Sequence, residues 1–184
     1  MSKKISRRDF IKTAAAAGGA SALMPQTIFS SQNKKNLRVG FIGTGLRGQW
    51  MLWLATKYPD VEIPAICDID DGMISAALKI IKDSGRNEPK VYKKNDEDFR
   101  NLVKNEELDG VYIATPWEWH HPMAIAAMKE GIHVGTEVPA ALTVNECWDL
   151  VNVSEKTEKF CMIMENVCYR RDVMAVLNMV RRDM

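Results

Sequence analysis

Beyond residue 36 the apolar positions fall into short runs, separated by stretches in which they recur every three or four residues. The runs Leu37 to Ile42, Val61 to Cys67, Lys90 to Tyr92, Gly110 to Ala114, Ile132 to Thr136 and Phe160 to Met164 have the branched and aromatic composition of buried strands. Helical patterns lie between them, at Leu46 to Lys57, Gly72 to Asp83, Asp96 to Asn105, Pro122 to Glu130 and Thr143 to Glu158. Alternation of this kind predicts an α/β fold, a doubly wound parallel sheet of six strands built from βαβ crossovers. The punctuation agrees. Pro122 suits a first helical turn, Gly131 the position just past a helix end, and Thr143 with Glu146 forms a capping box. A last helix is expected after Asp172, with Val173, Val176, Leu177 and Val180 on one apolar stripe. It reaches Met184 without a stop signal, so the expectation is a chain interrupted before a second α/β domain that would cover the stripe.

Composition narrows the function classes. At 184 residues the chain supports one solid core, and 25 basic against 24 acidic residues give a net charge of +1, with no basic field to gather nucleic acid. Four cysteines, with no C-x-x-C pair among them, read as free thiols rather than a disulfide framework. The opening is an address: Ser6-Arg-Arg-Asp-Phe-Ile-Lys12 resembles the twin-arginine export signal, and the weakly apolar Thr13 to Met24 follows. That stretch is too short and polar for a membrane anchor. The expected plan is therefore a signal over 1–31, a Rossmann domain over 32–166, and the start of a connection to a substrate domain over 167–184. The expected location is periplasmic or extracellular.

The strongest chemical signal is Gly43-Thr-Gly45-Leu-Arg-Gly48, which follows the first strand and opens the first helix, with Asp68 at the end of the second strand. This is the dinucleotide fingerprint in its required setting. Gly43 permits the tight turn, Gly45 lets the backbone approach a pyrophosphate, and Gly48 lets helix and strand pack closely. Asp68 is placed to accept hydrogen bonds from ribose hydroxyls, and Asp70 and Asp71 would repel a 2′-phosphate, so NAD is favoured over NADP. For Asp70 and Asp71 themselves, ordinary loop chemistry is the simpler reading. Arg47 reads equally well as a phosphate or ribose partner and as a solvated surface residue.

Thr115-Pro-Trp-Glu-Trp-His-His121 follows the fourth strand as a loop, with His121 expected to cap the helix that Pro122 begins. Trp117 and Trp119 either wall a nicotinamide pocket or pack against a neighbouring subdomain. Glu118, His120 and His121 lack further ligands at metal-binding spacing, so no metal is expected. Glu137-Val-Pro139 follows the fifth strand and Glu165-Asn166 the sixth. Polar groups thus gather at one edge of the sheet, the place where open α/β sheets bind ligands.

With these residues in view, the chain resembles the glucose-fructose oxidoreductase and inositol dehydrogenase superfamily, whose Rossmann domain carries Glu-Lys-Pro after strand five. Here the lysine is replaced by Val138. A closer resemblance is to glycoside hydrolase family 109, through Thr115-Pro-Trp-Glu-Trp-His120, Gly135-Thr-Glu-Val-Pro139 and Cys161-Met-Ile-Met-Glu-Asn-Val-Cys-Tyr169. The resemblance implies NAD contact by Leu46, Arg47, Asp68, Trp117, Glu118, Trp119, His120, Glu137, Val138 and Asn166, beside the glycines of the loop. It leaves the catalytic acid and base unidentified and places the substrate residues further along. The implied reaction is cleavage of a glycoside, N-acetylgalactosaminides foremost, by transient oxidation of a sugar carbon, elimination, addition of water and return of the hydride. A homo-oligomer is expected. The alternatives are a sugar or cyclitol dehydrogenase, which would need a proton acceptor that Val138 cannot provide, and a non-catalytic NAD-binding fragment.

Overall fold

The computed structural model describes residues 36–183, and the signal predicted over 1–31 lies outside them. Parallel strands β1 (Leu37–Ile42), β2 (Val61–Glu62), β3 (Ala65–Cys67), β4 (Lys90–Tyr92), β5 (Gly110–Ile113), β6 (His133–Thr136) and β7 (Cys161–Ile163) form one sheet. Its order is β4-β3-β1-β5-β6-β7, with β2 paired to the start of β1. The helices are α1 (Leu46–Ala55), α2 (Asp71–Asp83), α3 (Phe99–Asn105), α4 (Trp117–Lys129), α5 (Val144–Thr157) and α6 (Arg171–Val180), and a 3₁₀ turn spans Asn166–Tyr169.

The doubly wound parallel sheet is as expected, but with seven strands among the described residues rather than six. Pro64 makes the difference. It has no N–H to give to a ladder, and the expected run Val61 to Cys67 is divided there into β2 and β3. Neighbouring residues of β1 serve opposite faces. Phe41 packs with Leu52, Ile66, Ile74, Ala77, Ile81 and Tyr112, whereas Ile42 packs with Phe99, Leu102, Ile113, Met123, Ala127 and Met128. Both faces of the central strands are covered, which is why they read as unbroken apolar runs instead of alternating ones.

Several helix starts differ from the reading, and α3 begins at Phe99 rather than Asp96, because residues 96–98 form a turn before it. α2 begins at Asp71, because the side chain of Asp70 accepts from the backbone N–H of Met73 (2.9 Å) and caps the helix. α4 begins at Trp117 and not at Pro122, so Trp117 to His121 form its first turns instead of a loop. Pro116, with φ −55°, supplies the entry, and Pro122 lies inside the helix, where it lacks the N–H that would reach the Glu118 carbonyl one turn earlier. His121 therefore caps nothing. Its Nε2 lies 3.6 Å from Asp149 Oδ2 on α5, within ion-pair range but too long for a hydrogen bond. The Thr143–Glu146 capping box on α5 and the left-handed Gly131 (φ +80°) after α4 are present as expected. α6 carries the expected stripe, and Val173, Val176, Leu177 and Val180 are all exposed.

Candidate functional site

The chain runs from β1 outward through β3 to β4, then returns to β5 and continues the other way through β6 to β7. The reversal between β1 and β5 opens a crevice at their carboxyl ends, because the loops that leave the two strands diverge. A cavity of about 290 Å³ sits there. Residues after β1 (Gly43, Gly45), after β3 (Asp68, Ile69) and after β5 (Thr115, Pro116) line it, together with Met73, Asn95, Trp119 and Met123.

The glycine loop is built as the fingerprint requires. Gly43 has φ +87°, and a Cβ on it would stand 2.5 Å from the carbonyl oxygen of Ala114. A Cβ on Gly48 would stand 2.1 Å from the carbonyl oxygen of Gly43, so helix and loop touch backbone to backbone. Gly45 is the opposite case: a Cβ there meets nothing within 4 Å, although the residue borders the cavity. It is also the N-cap of α1 and has no side chain to cap it, so the first-turn N–H groups are available to an anion. The loop is held from below by Asp68. The backbone N–H and hydroxyl of the fully buried Thr44 donate to Asp68 Oδ2 (2.6 and 3.0 Å), and the N–H of Asp70 donates to Oδ1 (3.0 Å). Three of the four lone-pair sites of this carboxylate are thereby used, and one on Oδ1 is left for a ligand hydroxyl. Beneath it, burial pushes the Cys67 thiol up to about 12, and the carboxylates of Asp98 and Asp68 add to the effect.

At the β6 end the structure joins two expected contact residues to each other. Arg47 Nε donates to Glu137 Oε1 (2.7 Å), and the arginine also lies over the ring of Trp50, 5.1 Å from its centroid. The hydroxyl of Tyr112 donates to the same carboxylate oxygen. The hydrogen bond to Glu137 holds Arg47 above its ordinary value, while burial and then Glu137 push the Tyr112 hydroxyl up. Arg47 is thus tied to Glu137 through Nε and is not a purely solvated side chain.

The remaining expected contacts separate by position. Trp119 lines the cavity and packs edge-on against Phe99, with 6.0 Å between centroids. Trp117 is 61% exposed and stands outside the cavity lining, and Glu118 is exposed beside it. His120 is buried beneath them: Nδ1 is 2.7 Å from the carbonyl oxygen of Pro139 and Nε2 is 2.8 Å from that of Thr115. Through these two contacts His120 ties the loop after β5 to the loop after β6. Leu46 and Val138 are exposed, and Asn166 opens the 3₁₀ turn beyond β7. Sequence reasoning missed Ile69, Met73, Asn95, Asp96 and Met123 in the cavity wall, and Tyr112 at the Glu137 carboxylate. Asn95 and Asp96 follow β4, so the rule that ligands gather at carboxyl strand ends would have found them.

Comparison with known proteins adds to this geometry. Residues 37–165 match the profile of an oxidoreductase family, NAD-binding Rossmann fold, and residues 4–24 match the signal sequence of the twin-arginine translocation pathway. The chain is 50% identical to a glycosyl hydrolase family 109 protein of Parabacteroides distasonis, over 96% of this chain and 41% of that one. It is 49% identical to an alpha-N-acetylgalactosaminidase of Tannerella forsythia, over 95% of this chain and 42% of that one. The chain thus spans about two fifths of the length of these curated relatives. Among solved structures it is similar to an NAD-binding protein from Listeria innocua, with TM-score 0.65, 25% identity and coverage of 82% of this chain and 41% of that one. A scyllo-inositol dehydrogenase from Lactobacillus casei shares the fold at TM-score 0.68 and 19% identity, over 80% of this chain and 42% of that one.

Proposed function

The chain belongs to the oxidoreductase family with the NAD-binding Rossmann fold, and we propose that it is the cofactor-binding part of an exported, NAD-dependent glycoside hydrolase acting on N-acetylgalactosaminides. The observation that carries the reading is 40–50% identity, over 95–97% of the chain, to proteins named glycosyl hydrolase family 109 or alpha-N-acetylgalactosaminidase. NAD fits the residues present. The space above Gly45 admits a pyrophosphate, the uncapped first turn of α1 offers it N–H groups, and Asp68 keeps an acceptor for the adenosine ribose.

Bound NAD⁺ would supply a reversible hydride acceptor, so that a sugar carbon is oxidised, the acidified neighbour eliminates the aglycone, water adds and the hydride is returned. The work of this chain is to bind and orient. Glu137, anchored by Arg47 and Tyr112, and Asn166 present polar groups at the carboxyl ends of β6 and β7. Val138, exposed where the superfamily's dehydrogenases carry lysine, has no proton to move. Glycoside cleavage with no net redox change is therefore favoured over net sugar oxidation. Cleavage would require a sugar-holding surface from a protein of the relatives' full length, because hydride transfer needs its partners within about 3 to 3.5 Å.

The experiment is turnover of a chromogenic N-acetylhexosaminide panel by the full-length gene product, with NAD measured after denaturation. Release of chromophore with NAD retained in constant amount is expected. Stoichiometric NADH formation without cleavage would replace the reading with a dehydrogenase.

A further inference from the structure

We infer that Tyr112 is a positioning residue for Glu137 at the cofactor edge, its hydroxyl fixing the carboxylate so that Oε2 is presented to a bound NAD; the inference rests on the NAD-binding reading above. Tyr112 is on β5, one strand from Glu137 at the end of β6. Its ring is buried beside Phe41, with 5.7 Å between centroids, so its orientation is set by the core. The hydroxyl donates to Glu137 Oε1, the oxygen that Arg47 also uses.

Two donors on one oxygen leave the other distinctive. No donor among the described residues reaches Oε2, yet Oε2 is not among the sealed, unpartnered polar atoms. It is therefore not fully sealed, and it keeps its lone pairs for a hydroxyl or amide donor. The two donors on Oε1 differ in what they can do. Arg47 is 38% exposed and reaches Glu137 through a longer side chain with more torsions, so it holds the carboxylate less firmly than a ring set in the core. Tyr112 has two side-chain torsions, one ring locked in the core and a hydroxyl that points one way. Phenylalanine would fill the same packing space; only the hydroxyl needs Glu137.

The test is Tyr112→Phe in the full chain, with NAD titrated by intrinsic tryptophan fluorescence and unfolding followed without cofactor. NAD binding is expected to weaken about three- to tenfold, the size of one ordinary hydrogen bond, because Tyr112 acts on the cofactor only through Glu137. The same substitution in a Glu137→Ala background is expected to change NAD binding by less than about twofold, because a residue that acts through Glu137 has nothing left to position. Parent-like NAD affinity in Tyr112→Phe would overturn the inference. So would an equal loss in both backgrounds, which marks a purely structural role. If the parent chain itself binds no NAD, the functional reading fails, and this inference with it.

Discussion

Two glycines three residues apart in one loop give opposite expected phenotypes, which makes Gly45→Ala and Gly48→Ala the sharpest test of the site. At Gly45 the backbone has φ −63° and ψ −171°, angles open to alanine, and the added Cβ meets nothing within 4 Å. The small loss from a poorer N-cap is offset by a less flexible unfolded chain, each worth about 0.5–1 kcal/mol. Stability should therefore stay within about 1 kcal/mol, a shift in Tm of no more than about 4 °C. The same methyl group would occupy the space through which a pyrophosphate is proposed to approach the loop. An overpacking cost of about 1–3 kcal/mol then falls on binding alone and weakens NAD by roughly 5- to 150-fold. At Gly48 the methyl would stand 2.1 Å from the carbonyl oxygen of Gly43, a backbone atom with no rotamer to escape into. The cost there falls on the fold, about 3 kcal/mol or more, lowering Tm by about 6–12 °C. Thermal unfolding with and without NAD, followed by circular dichroism, reads both effects. Equal loss of Tm in the two variants, or undiminished NAD binding by Gly45→Ala, would refute the division of labour.

Asp68→Ala should lose both a ribose acceptor and the bonds to Thr44 and Asp70, so it should weaken NAD by about 1–3 kcal/mol and also lower the unfolding midpoint without cofactor; a titration beside a melt separates the two. Asp98 is buried, and hydrogen bonds from the Asn101 side chain and then the Lys94 backbone hold its carboxyl below the ordinary value of 3.8. A depressed folded-state value contributes stability above the unfolded value that is lost as pH falls through the folded one. Urea midpoints should therefore show the advantage of the parent over Asp98→Asn shrinking from about pH 5 to pH 2. Replacing Arg7 and Arg8 together by lysine should leave precursor in the cytoplasm, and cell fractionation with normal export of the double variant would assign the signal to a different route.

What sequence reading reached and what it missed divide along a physical line. The glycine loop, Asp68 and the Thr143–Glu146 capping box are local devices, each complete within a few residues or one βαβ unit, and spacing alone exposes them. The start of α4 is different. Pro116 and Pro122 are both acceptable openings, and the choice depends on His120 reaching Pro139 and Trp119 reaching Phe99. Those contacts exist only once α4 has docked. The Arg47–Glu137 pair joins residues 90 positions apart, beyond any spacing argument. Ile69, Met73 and Met123 look like ordinary core residues along the chain, and only the order of the strands turns them toward one cavity.

The export signal and the cofactor cleft bear on each other. A twin-arginine signal at residues 4–24 sends the protein out of the cytoplasm, the compartment that supplies NAD, by a route for folded chains. Loading before export is then the economical order, and the cleft has the form to benefit from it. The glycine loop is held at its base by Asp68 and is open above Gly45, so bound NAD would brace the loop from the uncovered side. With free NAD at about a hundred times Kd, binding would add about 2.7 kcal/mol to the folded state. Once outside, a reaction with net oxidation would leave reduced cofactor that must be exchanged or reoxidised where NAD is scarce. A reaction that returns its hydride within each turnover has no such need. The exposed valine at position 138 and the export signal thus favour the same side of the proposed choice between hydrolase and dehydrogenase.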